Sequence, residues 1–432
     1  MSLAVVAGVA SVVALVGLVA ASPGSAAAVG RLTATSSPSP TDTVTPTPSG
    51  TPTPTPTPSV TPTPTPKPLV VHPTVVTVIG AARGGTRGGV VVHVLANDRD
   101  PNGGKLHVVS VSQPRNGSAV IVNNLILVHI TTGWGKVTLN YNVSSSSGVS
   151  AKSSVNLTVL PPPIDVHMSL VQNGQTRGIG TLLTLHFSQP IQYRNVVQSH
   201  LQLTSTKNFG VGAWAWRDAT TLEFRPRDFW PGHSTITVHS TLSNVIIGWT
   251  ADHHPYMGLN TTASFKTTRA VISRINAITD QMTVTIDGKL ARTMGVSLGK
   301  PGYTTRSGIK VVAEKYVTRR MTSQAIGVTN PADQFDVVAP WAVRITTSGE
   351  FIHGAPWALY RIGKWNGSHG CTNLTPWDAH WFYNLAMPGD VVLTTGTNRP
   401  MEDWNGEGGP WNIPWKAWVA MSAGPLVTWS PA

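Results

Sequence analysis

Residues 353–373 read HGAPWALYRIGKWNGSHGCTN, and this stretch holds Cys371, the one cysteine among 432 residues. His369 stands two positions before the thiol, with Gly370 between them, and His353 stands eighteen before it. A thiolate is a strong nucleophile, but a free cysteine keeps its proton up to about pH 8.5, so an adjacent base or positive field must activate it. A glycine ahead of a nucleophile permits a tight turn and brings backbone amides toward a developing oxyanion. The competing reading is a buried cysteine acting as a small apolar residue among scattered histidines. Proximity alone nominates His369 as the base as readily as His353.

The arrangement His353-Gly354, a spacer, then Ser368-His369-Gly370-Cys371-Thr372-Asn373 resembles the catalytic motif of the L,D-transpeptidases, the YkuD-type cysteine enzymes of bacterial cell walls. The resemblance is to the actinobacterial branch and runs from about Ile164 to the C-terminus. It implies that Cys371 attacks a peptide carbonyl and forms a thioester, with His353 as base and proton relay. That relay needs an imidazole that titrates near neutrality. It also implies that the amides around Gly370 and Cys371 hold the oxyanion and that His369 shapes the cysteine loop. Ser348, Gly349, Ser368 and Asn373 fall where the family contacts its donor peptide, and Met321 matches a flap methionine. Phe335 stands where the family usually has tyrosine, which removes a hydroxyl from the flap. Gly354 stands where a small polar residue is common, so the orientation of His353 must rest on backbone or another partner.

The implied reaction joins the third residues of two peptidoglycan stem peptides, releasing the terminal D-alanine of a tetrapeptide donor and giving a 3-3 crosslink. The implied inhibitors are carbapenems, and no cofactor, metal or nucleic acid is implied. Hydrolysis or attachment of a protein through the same thioester is the first alternative. A non-catalytic wall-binding protein is the second.

Working outward, the resemblance implies that the stretch lies in a β-rich catalytic domain over 269–398. Asp287-Gly288 is a hairpin signal between two alternating runs, and SLGKPGYTTRSG resembles the early hairpin region of the YkuD fold. The segment 313–357 resembles the family's flap followed by the strand that delivers the first histidine, and its TNPADQFD portion has the chemistry of a long functional loop. Beyond Asn373, a proline-initiated short helix is expected, with Trp377 and Trp381 on its buried face by their i, i+4 spacing. Ten of the fifteen tryptophans lie from 341 onward. The tail 399–432 resembles the extension that packs back onto the catalytic domain, its aromatics read as packing rather than as a glycan platform.

Upstream, two all-β modules are expected, at 69–160 and 164–268, separated by the prolines at 161–163. Short Val/Thr-rich alternating runs with turn signals between them indicate antiparallel sandwiches. VLANDRDPNGGKL resembles the opening of bacterial cadherin-like Ig repeats, which nominates Asn97, Asp98 and Asp100 for calcium. Three oxygen ligands fall short of the six to eight that Ca²⁺ takes. Together with the serine run at 144–147, this favours a structural turn. AWAWRDATTLEFRPRDFWPG resembles the Ig-like domain that precedes mycobacterial transpeptidase domains, and Trp214, Trp216, Phe224 and Trp230 read as core rather than carbohydrate platform.

At the N-terminus, residues 3–21 form an uncharged apolar run, so 1–30 reads as a signal peptide or membrane anchor. Residues 31–68 are a Thr/Pro-rich linker that favours extended polyproline II, a stalk between a membrane and the domains. The chain is expected to be exported to the cell envelope. Charged residues are only 12% and the net charge is +12, dispersed without a basic run. That balance suits an anionic wall polymer or membrane surface better than nucleic acid.

Overall fold

The computed structural model describes residues 64–80 and 85–431. The apolar run and most of the Thr-Pro linker lie outside the described residues. None of the described helices is long and apolar enough to cross a membrane.

The chain is mainly β: two Ig-like sandwiches, then a β-rich catalytic domain with one short helix and a tryptophan-rich extension. In the first sandwich a four-stranded sheet (74–79, 150–160, 135–145, 106–111) faces a three-stranded one (90–92, 125–130, 117–122). Their inner faces meet around Ile126, Val128, Leu139, Tyr141 and Leu157. Asp100 accepts from the hydroxyls of Ser145 and Ser147, at 2.5 Å each, and from the amides of Asn102 and Gly104. Asp98 is bound by the Tyr141 hydroxyl and the His72 amide, and Asn97 is exposed. The serine run thus occupies the carboxylate that a cation would need.

The last strand of this sandwich ends at Leu160 and the next element begins at Ile164. The second sandwich pairs a four-stranded sheet (176–177, 262–267, 234–240, 201–205) with a five-stranded one built on 211–216, 221–226 and 183–187. Strict alternation makes these faces: Ser234–Ser240 buries every second residue. Trp214, Trp216, Phe224 and Trp230 are all in the core, with Trp214 and Phe224 edge to face at 5.0 Å.

The catalytic domain holds two sheets. One orders 289–295, 281–286, 271–276, 391–395 and 308–311. Its first turn places Asp287 at φ 49° and Gly288 at φ 80°, the left-handed pair that a two-residue hairpin requires. The other orders 314–322, 336–344, 351–354 and 372–374, and it carries the site. Its last two strands are parallel, with Ile352 opposite Thr372 and His353 opposite Asn373. Parallel neighbours need a long crossover, and the spacer between His353 and Cys371 is that crossover. Of residues 297–308, expected as an early hairpin region, only Gly308 belongs to a strand; the rest form a loop with isolated bridges, among them Ser297 with Asn373 and Gly299 with Ser368. Its backbone groups pair with the cysteine loop and with Asn373 of the strand that follows it.

Two further expectations are corrected. The helix Pro376–Leu385 starts as expected, with Thr375 accepting from the Asp378 amide, but its buried residues are Ala379 and Phe382. Trp377 is 75% exposed, whereas Trp381 is partly buried, packed against the core and beneath the Arg292 guanidinium, 5.1 Å away.

The C-terminal extension does not pack on the catalytic domain alone. Its first part does, through Met401 N–H to the Ser307 carbonyl and Asn412 to the backbone of Ile309. The rest docks on the second sandwich. Trp418 is fully buried against Ala213 and Ala215 and donates to the Ala213 carbonyl, and 427–428 add a strand beside Val211 and Gly212. Arg225 explains the shift: its guanidinium sits 4.9 to 5.5 Å from Trp411, Trp415 and Trp418 and donates to the Ile413 carbonyl.

Candidate active site

Cys371 sits at the mouth of the strand Thr372–Leu374, half-buried, on the wall of a cleft of about 410 Å³. Gly370 just before it has φ 118°, a conformation that a side chain would strain, and this turns the thiol toward the cleft. The turn is closed by Ser368, whose hydroxyl donates to the Cys371 carbonyl at 2.6 Å and accepts from the Gly370 amide at 3.1 Å. Loop 297–305 braces it from outside: Thr305 Oγ1 donates to the Gly370 carbonyl, and the Lys300 amide donates to the Ser368 carbonyl. The Gly370 amide is therefore engaged. Of the two amides expected to face an oxyanion, the Cys371 amide alone has no partner among the described residues.

The thiol itself lies 3.8 Å from the carbonyl of Gly349. Gly349 has φ 95° at the tip of the turn before the strand Phe351–Gly354, so its carbonyl can be aimed at the sulfur. Ser348 is clamped from the extension: Asn405 Oδ1 accepts from its amide at 2.9 Å, and Asn405 Nδ2 donates to its hydroxyl at 2.8 Å.

His353 is buried, on the strand beside Asn373, and both line the cleft with Cys371. Its Nδ1 lies 2.8 Å from the Gly354 carbonyl. That partner can only accept, so Nδ1 carries the proton and Nε2 keeps its lone pair. The orientation that Gly354 cannot supply with a side chain is supplied by its backbone. Burial, reinforced by the positive charge of Arg361, pushes the imidazole down to about 4, against the pull of that carbonyl. Burial pushes the Cys371 thiol up to about 12; Glu350 adds to this, while a Phe351 backbone bond and the Lys310 charge oppose it. Both shifts act in the same sense, with burial favouring the uncharged thiol and the uncharged imidazole.

His369 lies between two rings, Phe335 at 4.6 Å and Tyr303 at 4.7 Å. Burial lowers its pKa too, and its Nε2 has no partner among the described residues. Phe335 covers this histidine from the flap, and Met321 faces the same cleft from the strand Glu314–Thr322. The flap is tied down by Asp333, which Lys300 and the Tyr303 hydroxyl both reach.

Several residues at the site escaped the sequence reading. Lys310, Arg306 and Glu350 form a buried charge cluster behind the cysteine loop, and Tyr303, Arg361 and Asn405 approach from loops far apart in the chain. Lysine and glutamate are rarely sealed from solvent unless they are paired, so only burial could reveal them.

Against known proteins, residues 269–393 match the YkuD family, described as the L,D-transpeptidase catalytic domain. Residues 67–158 and 136–246 each match a bacterial Ig domain. The chain carries a YkuD L,D-transpeptidase domain behind two bacterial Ig domains. L,D-transpeptidase 2 of Mycobacterium tuberculosis is 29% identical over 292 residues, 67% of this chain and 70% of the relative. L,D-transpeptidase 5 of the same species is 30% identical over 267 residues, 60% of this chain and 57% of that relative. Among solved structures, L,D-transpeptidase 3 from M. tuberculosis is 30% identical with a TM-score of 0.43, over 52% of this chain and 97% of that one. An L,D-transpeptidase in complex with imipenem is 29% identical with a TM-score of 0.45, over 54% of this chain and all of that one. The second Ig match begins inside the first sandwich and ends before the strand Thr262–Thr267.

Proposed function

We propose that this chain is a cysteine acyltransferase that forms 3-3 crosslinks in peptidoglycan. Cys371 adds to the carbonyl of the third residue of a tetrapeptide stem while its proton passes to His353 Nε2. The tetrahedral oxyanion is held by the Cys371 amide, and its collapse gives a thioester as the proton goes on to the departing D-alanine amine. A side-chain amine on a second stem then attacks the thioester, gives up a proton to His353 and restores the thiol. Because burial favours the uncharged pair, proton transfer and sulfur attack belong to one step rather than to a preformed ion pair.

The observation that carries the reading is the thiol of Cys371 held by the Gly349 carbonyl in one cleft with His353, whose imidazole presents a free Nε2. Phe335, Met321, Ser348, Gly349, Ser368 and Asn373 are the proposed donor-peptide contacts, with Ser368 also closing the turn that aims the thiol. We place the activity outside the cell membrane, with the Thr-Pro linker as a stalk. The same thiol is the proposed target of carbapenems, whose ring carbonyl would be opened to a thioester. The test is mass spectrometry of crosslinked muropeptides after incubation with the purified ectodomain. A 3-3 dimer with loss of D-alanine is expected from the wild type and none from Cys371→Ala. Tripeptide alone would mean that water resolves the thioester, and no change in the donor would remove the acyl-transfer reading.

A further inference from the structure

Four arginines line the cleft (Arg319, Arg320, Arg344 and Arg361), and no aspartate or glutamate does. Three of them are accounted for. Arg320 forms a two-pronged pair with Asp336, Arg344 pairs with Glu314 and donates to the carbonyls of Thr346 and Thr347, and Arg319 is exposed to water over the Tyr316 ring. Arg361 is different. Its guanidinium makes no hydrogen bond and no ion pair among the described residues, and its Nε is shut off from solvent without a partner.

The side chain is nevertheless held in place. The rings of Tyr360 and Trp365 flank it, each centroid 6.0 Å from the guanidinium carbon. It lies against Gly367, where an added Cβ would come within 3.0 Å of Arg361 Cδ and 3.1 Å of Nη1. Its backbone is fixed in successive turns, Arg361 N–H to the Ala358 carbonyl and Trp365 N–H to the Arg361 carbonyl. This puts a rigid cation one residue from Ser368 and within electrostatic reach of both His353 and His369. A buried donor without a protein partner, on a cation beside the base, is a costly arrangement. A planar guanidinium with free donors is the group that takes a carboxylate in a two-pronged grip.

We propose that Arg361 is the carboxylate anchor of the acyl-donor site, selecting donors that carry a free carboxylate near the scissile bond. This rests on the acyl-transfer reading above. The carboxylate has two sources in a stem tetrapeptide, the terminal D-alanine or an internal acidic residue. Neutralising Arg361 by either would also relieve its repulsion of a protonated His353.

The experiment measures kcat/KM on three donors: the free tetrapeptide, its C-terminal amide and its internally amidated form. Wild type, Arg361→Gln and Arg361→Lys are compared, and the same peptides are titrated calorimetrically into Cys371→Ala with and without Arg361→Gln. Wild type is expected to lose tenfold or more on one of the amidated donors, and that donor identifies which carboxylate is held. Arg361→Gln should lose as much on the free donor, lose nothing further on that amide, and be partly rescued by lysine. Equal use of all three donors by the wild type, or an unchanged preference in Arg361→Gln, overturns the anchor. If no donor turns over, the acyl-transfer reading falls, and the titrations still decide the anchor: binding that is indifferent to amidation or to Arg361→Gln overturns it.

Discussion

Lys310 Nζ lies 2.7 Å from Glu350 Oε2, and both side chains are sealed from solvent behind the loop that carries Cys371. Glu350 also takes the Arg306 amide and Nη1 on its other oxygen, at 3.0 Å each, and sits between Gly349 and Phe351, the two residues whose backbone meets the thiol. Burial pushes the Lys310 ammonium down, against the pull of Glu350.

Removing one partner leaves an uncompensated buried charge, which typically costs about 3–5 kcal/mol, whereas removing both with apolar residues of similar volume is often neutral. Lys310→Met and Glu350→Leu are each expected to destabilise by that amount and the double variant by less than their sum, the remainder being the Arg306 donors that Glu350 held, as read from urea unfolding. Additive losses in the double variant would show that the two groups do not act as a pair.

Burial of the thiol sets its reactivity. Without peptide, alkylation of Cys371 by iodoacetamide should be slow at neutral pH and rise about tenfold per pH unit well into the alkaline range, since the thiol sits near 12. A plateau around neutrality would reveal a preformed thiolate–imidazolium pair instead.

His353 ties stability to pH in the same region. Its imidazole falls from an ordinary 6.5 to about 4 in the fold, so between those values the unfolded chain binds the proton that the folded chain refuses. Its contribution is complete above the unfolded value and is lost as pH falls through the window, by roughly 3 kcal/mol in total. A His353→Gln variant should unfold with a shallower pH dependence between pH 6.5 and 4. An unchanged slope would assign the acid sensitivity to other groups.

Asn405 reaches the active-site turn from the C-terminal extension. It bonds both the amide and the hydroxyl of Ser348, and its Nδ2 also donates to Glu402 at 2.7 Å. Asn405→Ala should lower kcat/KM on stem peptides by about tenfold, since loss of two bonds to a positioning turn is worth about 1–2 kcal/mol. Its melting temperature should move little. A large loss of stability with unchanged kcat/KM would make Asn405 a folding residue only.

The first sandwich has its own core, and none of its residues lines the cleft. A chain beginning at residue 161 should therefore keep the wild-type kcat on soluble stem peptides. Adding calcium to the full ectodomain should leave its melting curve in place, because the Asp100 carboxylate is already bound by Ser145 and Ser147. A calcium-dependent rise would restore the metal site that the acidic loop first suggested.

What the sequence determined by itself was local. Period-two alternation made the sandwich faces, Asp287-Gly288 made a hairpin, and the spacing from His353 to Cys371 is the length of a crossover between parallel strands. The glycine before Cys371 signalled its own turn, because a left-handed residue is a property of one position. What tertiary structure decided was every feature built from distant partners. Spacing put Trp377 and Trp381 on one helix face but could not say which face the sheet would cover. The extension looked like a cap for the catalytic domain, and Arg225, nearly two hundred residues earlier, drew its second half onto the sandwich. Lys310 and Glu350 lie forty residues apart, and only the fold brings them together as a buried pair. The pKa values of His353 and Cys371 could not be read from their spacing, since desolvation depends on everything that surrounds a group and not on its neighbours in the chain.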